Sequence, residues 1–156
     1  MSFLDFSSDS EDVKRIKNFY SAVERGDFSS ARQYLDYNLE WVGPEARELW
    51  YSGTHRGVDA VFREVFEPSH GKFANFRMRI SKFFEVGNHI FVLGRVTGRT
   101  KMTGRDLDAP MAHVWTLGNG KAVRCEAFED TRKWLEALGE VPPAPQTEAG
   151  EEKVAA

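Results

Sequence analysis

The part of the sequence that decides the fold is residues 73–130, FANFRMRISKFFEVGNHIFVLGRVTGRTKMTGRDLDAPMAHVWTLGNGKAVRCEAFED. From Phe76 onward, apolar residues alternate with polar ones, and this period of two is typical of a β-strand with one buried face. Gly and Asn residues that favour tight turns interrupt the alternation three times. The pattern predicts an antiparallel meander with a bulge near Lys82. Its four strands cover about 73–86, 89–99, 107–117 and 121–129.

The sequence before this region has helical periodicity. Apolar residues recur at spacings of three and four in three segments, which predicts amphipathic helices over residues 13–23, 28–35 and 58–66, the last ended by Pro68 and Gly71. The alternating run 39–44, which stops at Pro44, predicts a short strand between the second and third helices. Asp130 is a preferred N-cap residue and predicts a closing helix through Leu138. The predicted order is ααβαββββα, an α+β fold in which a curved antiparallel sheet wraps around N-terminal helices.

Composition restricts the classes of function. The 156 residues are 41% hydrophobic and 13% aromatic, which is enough for one folded domain with a core. The single Cys125 excludes a disulfide framework and a zinc site built from cysteines. No apolar run approaches a membrane span, and the first twelve residues lack the Lys and Arg of a signal peptide, so we expect a cytoplasmic protein without a membrane partner. No motif for a metal or a nucleotide cofactor occurs, so we expect neither.

Charge is unevenly distributed along the chain. The formal net charge is only −3, but residues 72–105 hold eight Lys or Arg and a single acidic residue, Glu85. Two interpretations remain open for this basic segment: a solvated face of the sheet, or a surface that attracts an anionic ligand or partner. A nucleic-acid partner is not expected, because the flanking segments are acidic and cancel the positive charge.

Several short motifs carry a family resemblance when they are taken together. They are Phe19-Tyr20 with Gly26-Asp27, Ser52–Gly57, Thr103-Gly104-Arg105, Ala112–Thr116, Gly120-Lys121 and Phe128-Glu129-Asp130. Over about residues 13–138, the chain resembles the SnoaL-like, ketosteroid-isomerase-related branch of the nuclear-transport-factor-2-like superfamily. The resemblance implies a cone-shaped, cystatin-like α+β barrel with a small-molecule pocket, often dimeric through the sheet. We assign residues 1–138 to a single SnoaL-like domain and predict that the acidic, Pro-rich tail 139–156 is disordered.

Each enzyme subfamily of this superfamily matches the chain only in part. In ketosteroid isomerases the base is an Asp before the proline that ends the first strand, and the resemblance places Gly43 there. Limonene epoxide hydrolases carry an Arg-x-Asp motif and a later Asp, which correspond to Arg95, Thr97 and Asp130. SnoaL-type polyketide cyclases carry a strand His that resembles His113, but their Asp aligns near an alanine, Ala127.

Three residues are candidate catalytic groups. Asp130 is a general base or only a helix cap, and His113 is an acid/base group in the pocket, or a hydrogen-bonded core residue, or a residue of a dimer face. Arg95 has apolar neighbours on its strand face. It is either paired with a carboxylate of the protein or of a ligand, or it is an exposed arginine of the sheet. We predict that all three meet at the polar end of the cavity, with Arg95 keeping Asp130 ionised. Glu126 is a reserve carboxylate on the face of Asp130 and Phe128.

Aromatic residues are candidates for the apolar wall of the pocket, although their spacing is equally that of an ordinary core. The ligand-binding candidates are Tyr20, Trp41, Phe62, Phe91, Trp115 and Phe128. The hypothesis that follows is a small-molecule-binding protein that performs cofactor-free acid/base chemistry on a lipophilic carbonyl compound or epoxide, with anionic molecules included among its ligands. The alternative is a noncatalytic ligand-binding or dimeric interaction module. A homodimer through the sheet is expected in either case.

Overall fold

A computed structural model describes residues 9–142 and 145, so most of the predicted disordered tail lies outside the described residues. Helices α1 (Glu11–Glu24) and α2 (Phe28–Arg32) precede strands β1 (Leu35–Val42) and β2 (Thr54–Arg56). A continuous helical segment follows, made of α3 (Val58–Val61), a π-helical turn (Phe62–Phe66) and α4 (Glu67–Lys72). The chain continues with β3 (Phe73–Val86), β4 (His89–Thr100), β5 (Asp106–Gly118), β6 (Lys121–Glu129) and α5 (Thr131–Leu138).

The strands form one six-stranded sheet in the order β2-β1-β6-β5-β4-β3. The predicted meander β3 to β6 is antiparallel throughout, and the α+β fold class is confirmed. The pairing of β1 with β6 is parallel, with Trp41 opposite Cys125, and the three-residue strand β2 adds to the far edge of β1. These two features were not predicted, because the partner of a strand at long sequence separation is not encoded in local periodicity.

Helix α1 packs its apolar stripe against the inner face of the sheet. Ser10 caps the helix by accepting a hydrogen bond from the Val13 N–H, which satisfies one of the free donors of the first turn. Phe19 is fully buried, and its ring meets Trp115 of β5 edge to face with 5.0 Å between centroids. This packing brings the neighbouring Tyr20 into the interior of the cone.

The helical segment 58–72 passes through Pro68 instead of ending there as predicted. The π-helical turn before it shifts the hydrogen bonding, so that the Glu67 N–H bonds to the Phe62 carbonyl. Pro68 then occupies the first turn of α4, where a missing N–H removes no helical hydrogen bond. The segment buries Val65, Phe66 and Ser69 against the sheet.

Strands β4 and β5 present alternate residues to opposite faces of the sheet. Val92 and Val96 point to the buried inner face, as do His113 and Trp115. The predicted bulge is present in β3, where the register with β4 shifts between Ile80 and Lys82. The strand backbones approach so closely there that a side chain at Gly94 would collide with the Arg79 carbonyl, which explains the glycine.

Candidate functional site

A small cavity lies inside the cone, between the inner sheet face, the helical segment 58–72 and α5. The space open to the centre of a water molecule is about 20 Å³, which is room for roughly one water. Apolar and aromatic side chains form most of its wall, together with a few polar groups. The lining residues are Trp41, Tyr51, Val65, Phe66, Ser69, Phe76, Met78, Val96, His113, Glu129 and Trp134.

A buried chain of hydrogen bonds joins α1 to β5 beside this cavity. The Trp115 Nε1–H donates to the Tyr20 hydroxyl oxygen at 2.8 Å, and that hydroxyl lies 2.6 Å from Nδ1 of His113. The Tyr20 hydroxyl proton needs an acceptor, and His113 Nδ1 is the one that these contacts supply. Burial raises the pKa of Tyr20, so the phenol stays protonated and donates.

The same hydrogen bonds decide the tautomer of His113. Because Nδ1 accepts from Tyr20, the proton of the neutral imidazole is on Nε2. Burial lowers the pKa of His113 to about 3, so the ring is neutral at physiological pH. Nε2 is itself buried and has no hydrogen-bond partner within the described part of the chain. His113 therefore presents a free N–H donor to the cavity.

Glu129, the last residue of β6, supplies a carboxyl group to the cavity. It shares the inner face of the strand with Cys125 and Ala127. The residue as a whole is partly exposed, yet its Oε2 is buried and has no partner among residues 9–142 and 145. Burial raises the pKa of Glu129 to about 7, while the nearby Tyr51 hydroxyl acts in the opposite direction. The group can therefore hold or release a proton near neutral pH.

Unpartnered polar atoms converge on this cavity. Across the described residues, most of the buried side-chain N and O atoms without a hydrogen-bond partner belong to its lining. They are Trp41 Nε1, Tyr51 Oη, His113 Nε2, Glu129 Oε2 and Trp134 Nε1. Burial raises the pKa of Tyr51 as well, so its hydroxyl is a neutral donor. The arrangement offers N–H and O–H donors around a single carboxyl group, which suits a ligand that carries oxygen acceptors.

Comparison with known families matches residues 16–125 to the SnoaL-like domain. The chain belongs to the SnoaL-like domain family. No curated protein gives a significant match. Among solved structures, an NTF2-like protein of unknown function from Burkholderia pseudomallei K96243 is 26% identical with a TM-score of 0.76, covering 83% of this chain and 98% of that one.

Two further structures show the same fold at lower identity. TerC, co-crystallised with polyporic acid, is 24% identical with a TM-score of 0.74, and the match covers 83% of this chain and 99% of that chain. A putative SnoaL-like polyketide cyclase from Jannaschia sp. CCS1 is 14% identical with a TM-score of 0.72, covering 85% of this chain and 94% of that chain. These likenesses confirm the NTF2-like, ketosteroid-isomerase-related fold.

The SnoaL-like domain places Arg95 away from the cavity, so the predicted meeting with His113 and Asp130 is wrong. Arg95 lies on the outer face of β4 with 48% of its side chain exposed, and its Nε donates to Asp108 Oδ1 at 2.7 Å. The reason is the strand alternation, which sends Arg95 outward where Val96 points inward. The basic side chains of Arg77 and Arg79 are exposed as well, which supports the solvated interpretation of the basic segment.

Asp130 is the N-cap of α5 rather than part of the cavity wall. Its Oδ1 accepts a hydrogen bond from the Lys133 N–H at 3.4 Å. The neighbouring Glu129 lines the cavity instead, because adjacent strand residues point to opposite faces. The parity of Glu129 with the small residues Cys125 and Ala127 could have identified it from sequence, but the apolar Phe128 favoured the other face.

Substitution of Asp130 tests the capping role. Asp130→Ala should destabilise the domain by about 1 kcal/mol, because the first turn of α5 loses its side-chain acceptor. Asp130→Asn keeps an acceptor oxygen and should stay within a few tenths of a kcal/mol of the wild type. Urea denaturation of the two variants checks this, and equal losses in both would contradict the capping role.

The aromatic candidates divide between the interior and the outer surface. Tyr20, Trp41 and Trp115 are buried around the site as predicted, and Trp41 and His113 rings meet at 5.1 Å between centroids. Phe62 is fully buried but packs against Phe28 and Phe66 in the core, not on the cavity. Phe91 and Phe128 instead lie on the outward side of their strands with exposed rings, so neither lines the interior cavity.

The position that would hold the isomerase base is Gly43, and the structure shows why it carries no side chain. A Cβ atom there would collide with the Tyr51 carbonyl oxygen of the adjoining loop. Among residues 9–142 and 145, no three His, Cys, Asp or Glu side chains come together as metal ligands do. Within the same residues, no helix combines the length and apolar character needed to cross a membrane.

Proposed function

We propose that this SnoaL-like domain binds an apolar carbonyl compound and transfers a proton at the carbon beside the carbonyl, without a cofactor. Membership of the family and the NTF2-like fold support a small-molecule-binding protein. The observation that carries the proposal is the convergence of unpartnered donors on the Glu129 carboxyl inside an aromatic cavity. Buried donors without partners are costly, and a carbonyl oxygen is the acceptor that would satisfy them.

The proposed reaction divides the work between the carboxylate and the donors. Glu129 Oε2 takes the proton from the carbon, and the electron pair of the broken C–H bond moves to the carbonyl oxygen as an enolate forms. The His113 Nε2–H, the Tyr51 hydroxyl and the Trp41 Nε1–H are available to stabilise the negative oxygen. Protonated Glu129 then returns the proton to the same or another carbon, so the group ends as it began.

A pKa near 7 suits Glu129 to this role. A general base is most effective when its pKa lies near the working pH, since it is then both partly ionised and basic enough. The neutral His113 is suited to donating without losing its proton, because its imidazole is far from forming a cation. Gly43, at the position of the isomerase base, has no carboxyl group. In this proposal Glu129 of β6 supplies the carboxyl group instead.

Proton exchange of a simple ketone tests the proposal. 2-Tetralone is a bicyclic apolar ketone, and its protons beside the carbonyl exchange with solvent only through an enol or enolate. In D₂O at neutral pH, we expect the protein to accelerate the loss of the corresponding ¹H NMR signals above the buffer rate. Exchange at the buffer rate would reject the proposed acid/base function, whether or not the ketone binds.

The outer sheet face supports the second candidate function, a dimeric interaction module. Large apolar side chains are exposed together on this face, and monomeric proteins seldom show such patches. The residues are Phe84, Val86, Phe91 and Leu93. Because Phe84 pairs with Phe91 across β3 and β4, and Leu93 with Ala112 across β4 and β5, the patch is continuous. We propose that a second copy of the chain covers it.

Light scattering coupled to gel filtration tests the homodimer. The wild type should elute with twice the 17.8 kDa mass of one chain. Replacing Phe84 and Phe91 by Glu should give the monomer, because two like charges per chain would be buried in the interface. Tyr37→Glu is the matched control, since Tyr37 is 74% exposed but lies on β1, away from this patch. A monomeric wild type would contradict the prediction.

A further inference from the structure

The sheet has an opening between β1 and β6 at the end where Glu129 lies. Pairing of these strands stops at Val42 opposite Glu126, but β6 continues to Glu129. The chain after β1 turns away, because the Gly43 N–H bonds to the Gly53 carbonyl and the Gly53 N–H bonds to the Pro44 carbonyl. The end of β6 therefore borders a surface depression instead of a neighbouring strand. We call this depression, lined by residues 42–46, 124, 126–129 and 131, the β1–β6 notch.

Glu129 lines both the notch and the interior cavity, so the two spaces adjoin at this residue. The interior cavity offers only about 20 Å³ to the centre of a water molecule, and the notch offers about 630 Å³. Sites for organic ligands commonly have volumes of about 300 to 1,000 Å³. A molecule whose carbonyl group reaches Glu129 would thus leave most of its body in the notch.

The charges around the notch favour an uncharged ligand. Its charged side chains other than Glu129 are Arg124, Glu45 and Glu126. Arg124 is already paired with Glu126 and with Glu40, so it offers no free cation to an anion. The exposed Glu45 adds a further negative charge. A carboxylate or phosphate entering here would meet net negative charge.

The remaining surface of the notch is suited to an apolar body. Val42, Pro44 and Ala46 form one side, and Ala127 and the exposed ring of Phe128 form the other. These side chains provide apolar area that water covers only at a cost in free energy. The notch therefore offers an apolar surface beside its charged groups.

We propose that the β1–β6 notch is the entrance and the outer half of the ligand site, and that it admits an uncharged apolar molecule whose carbonyl end reaches Glu129. The inference rests on the proposed function for the role of the carbonyl group. The entrance itself depends only on the gap between β1 and β6. The proposed ligand is therefore a neutral molecule and not the anionic one that the sequence also allowed.

Acrylamide quenching of the native tryptophans tests the entrance without any ligand. Trp41 and Trp134 line the cavity, and acrylamide is a small neutral amide that must reach them to quench their fluorescence. Glu45→Phe places a ring over the notch and should lower the quenching constant by about half, because it restricts local access. Glu48→Phe is the matched control. It replaces another exposed glutamate of the same loop by phenylalanine, but Glu48 does not border the notch. Equal quenching in the two variants would overturn the entrance.

Two probes of the same shape test the ligand class. 2-Acetylnaphthalene is neutral and carries a ketone, and 2-naphthoate is its anionic counterpart. The neutral probe should bind about tenfold more tightly, because the negative rim repels the carboxylate. In Glu45→Phe, but not in Glu48→Phe, its association should slow by about tenfold, as a blocked entrance requires.

The outcomes separate the entrance from the proposed function. Equal or tighter binding of 2-naphthoate would overturn the preference for an uncharged ligand. If neither probe binds the wild type, the ligand assignment and the proposed function fail together, while the quenching experiment still decides whether the notch is the entrance. If 2-acetylnaphthalene binds but no proton exchange of 2-tetralone occurs, the ligand assignment stands and the acid/base function fails.

Discussion

Glu129→Gln lowers the protein-dependent exchange of 2-tetralone protons by about 10²- to 10⁴-fold, the usual contribution of a general base. The amide has nearly the shape of the carboxyl group but cannot accept the carbon-bound proton. Binding of 2-acetylnaphthalene should change little, since the donors of His113, Tyr51 and Trp41 remain in place. NMR exchange rates at matched protein concentration measure the first effect, and a binding titration measures the second.

Asp130→Asn is the matched control for this experiment. It makes the same chemical change one residue further along the chain, at a carboxyl group that caps α5 and does not line the cavity. Its exchange rate should equal that of the wild type. A loss of exchange in Asp130→Asn with full exchange in Glu129→Gln would return the base to Asp130 and contradict the assignment made from the structure.

Acidification from pH 6.5 to pH 3 destabilises the folded domain through His113 by on the order of 4 kcal/mol, because one unit of pKa shift corresponds to about 1.4 kcal/mol. The pKa of the folded state is depressed to about 3 from the ordinary 6.5. Over this interval the unfolded chain binds a proton that the folded chain does not. The stabilisation present above pH 6.5 is therefore lost progressively as the pH falls.

His113→Gln isolates this effect from the titration of the other groups. A glutamine oxygen can accept the Tyr20 hydrogen bond, and its amide cannot gain a proton in this range. As the pH falls, the wild type should lose more unfolding free energy than His113→Gln loses. Urea denaturation at a series of pH values measures this difference. Glu129 has the opposite sign: its pKa is raised from 4.5 to about 7, so it reduces stability as the pH rises through that interval.

The clearest window for the His113 comparison therefore lies between about pH 3 and pH 4, below the ordinary pKa of a glutamate. Glu129 is protonated there in both the folded and the unfolded chain, so its contribution is constant. If the wild type and His113→Gln lose stability in parallel across this window, His113 is not a buried neutral imidazole, and its role as a neutral donor fails with it.

Local patterns were sufficient to predict much of the fold. The stripe of α1 that includes Ile16 and Phe19 is buried, and the meander from Phe73 to Glu129 has turns near the predicted glycines. Spacings of three and four or of two report which residues share a side of one element, and this information is contained in a short stretch of chain. The closing helix begins after Asp130 for the same reason.

The candidate site was only partly accessible to the same reasoning. His113, Tyr20, Trp41 and Trp115 were identified by residue type and by the family resemblance, and the structure brings them together. The hydrogen bond between Tyr20 and His113 joins residues 93 positions apart, so no local pattern contains it. The state of the imidazole depends on that bond and on burial by other elements.

What the sequence determined by itself was the type of each element, the α+β order and the residues that share each face. Only the tertiary structure decided which face is inside, because both faces of β4 carry large apolar residues, such as Val92 and Phe91. Periodicity is unchanged when a strand is turned over, whereas burial is not. That choice moved Arg95 to the surface and made Glu129, rather than Asp130, the carboxyl group of the cavity, since a strand reverses its facing at every residue.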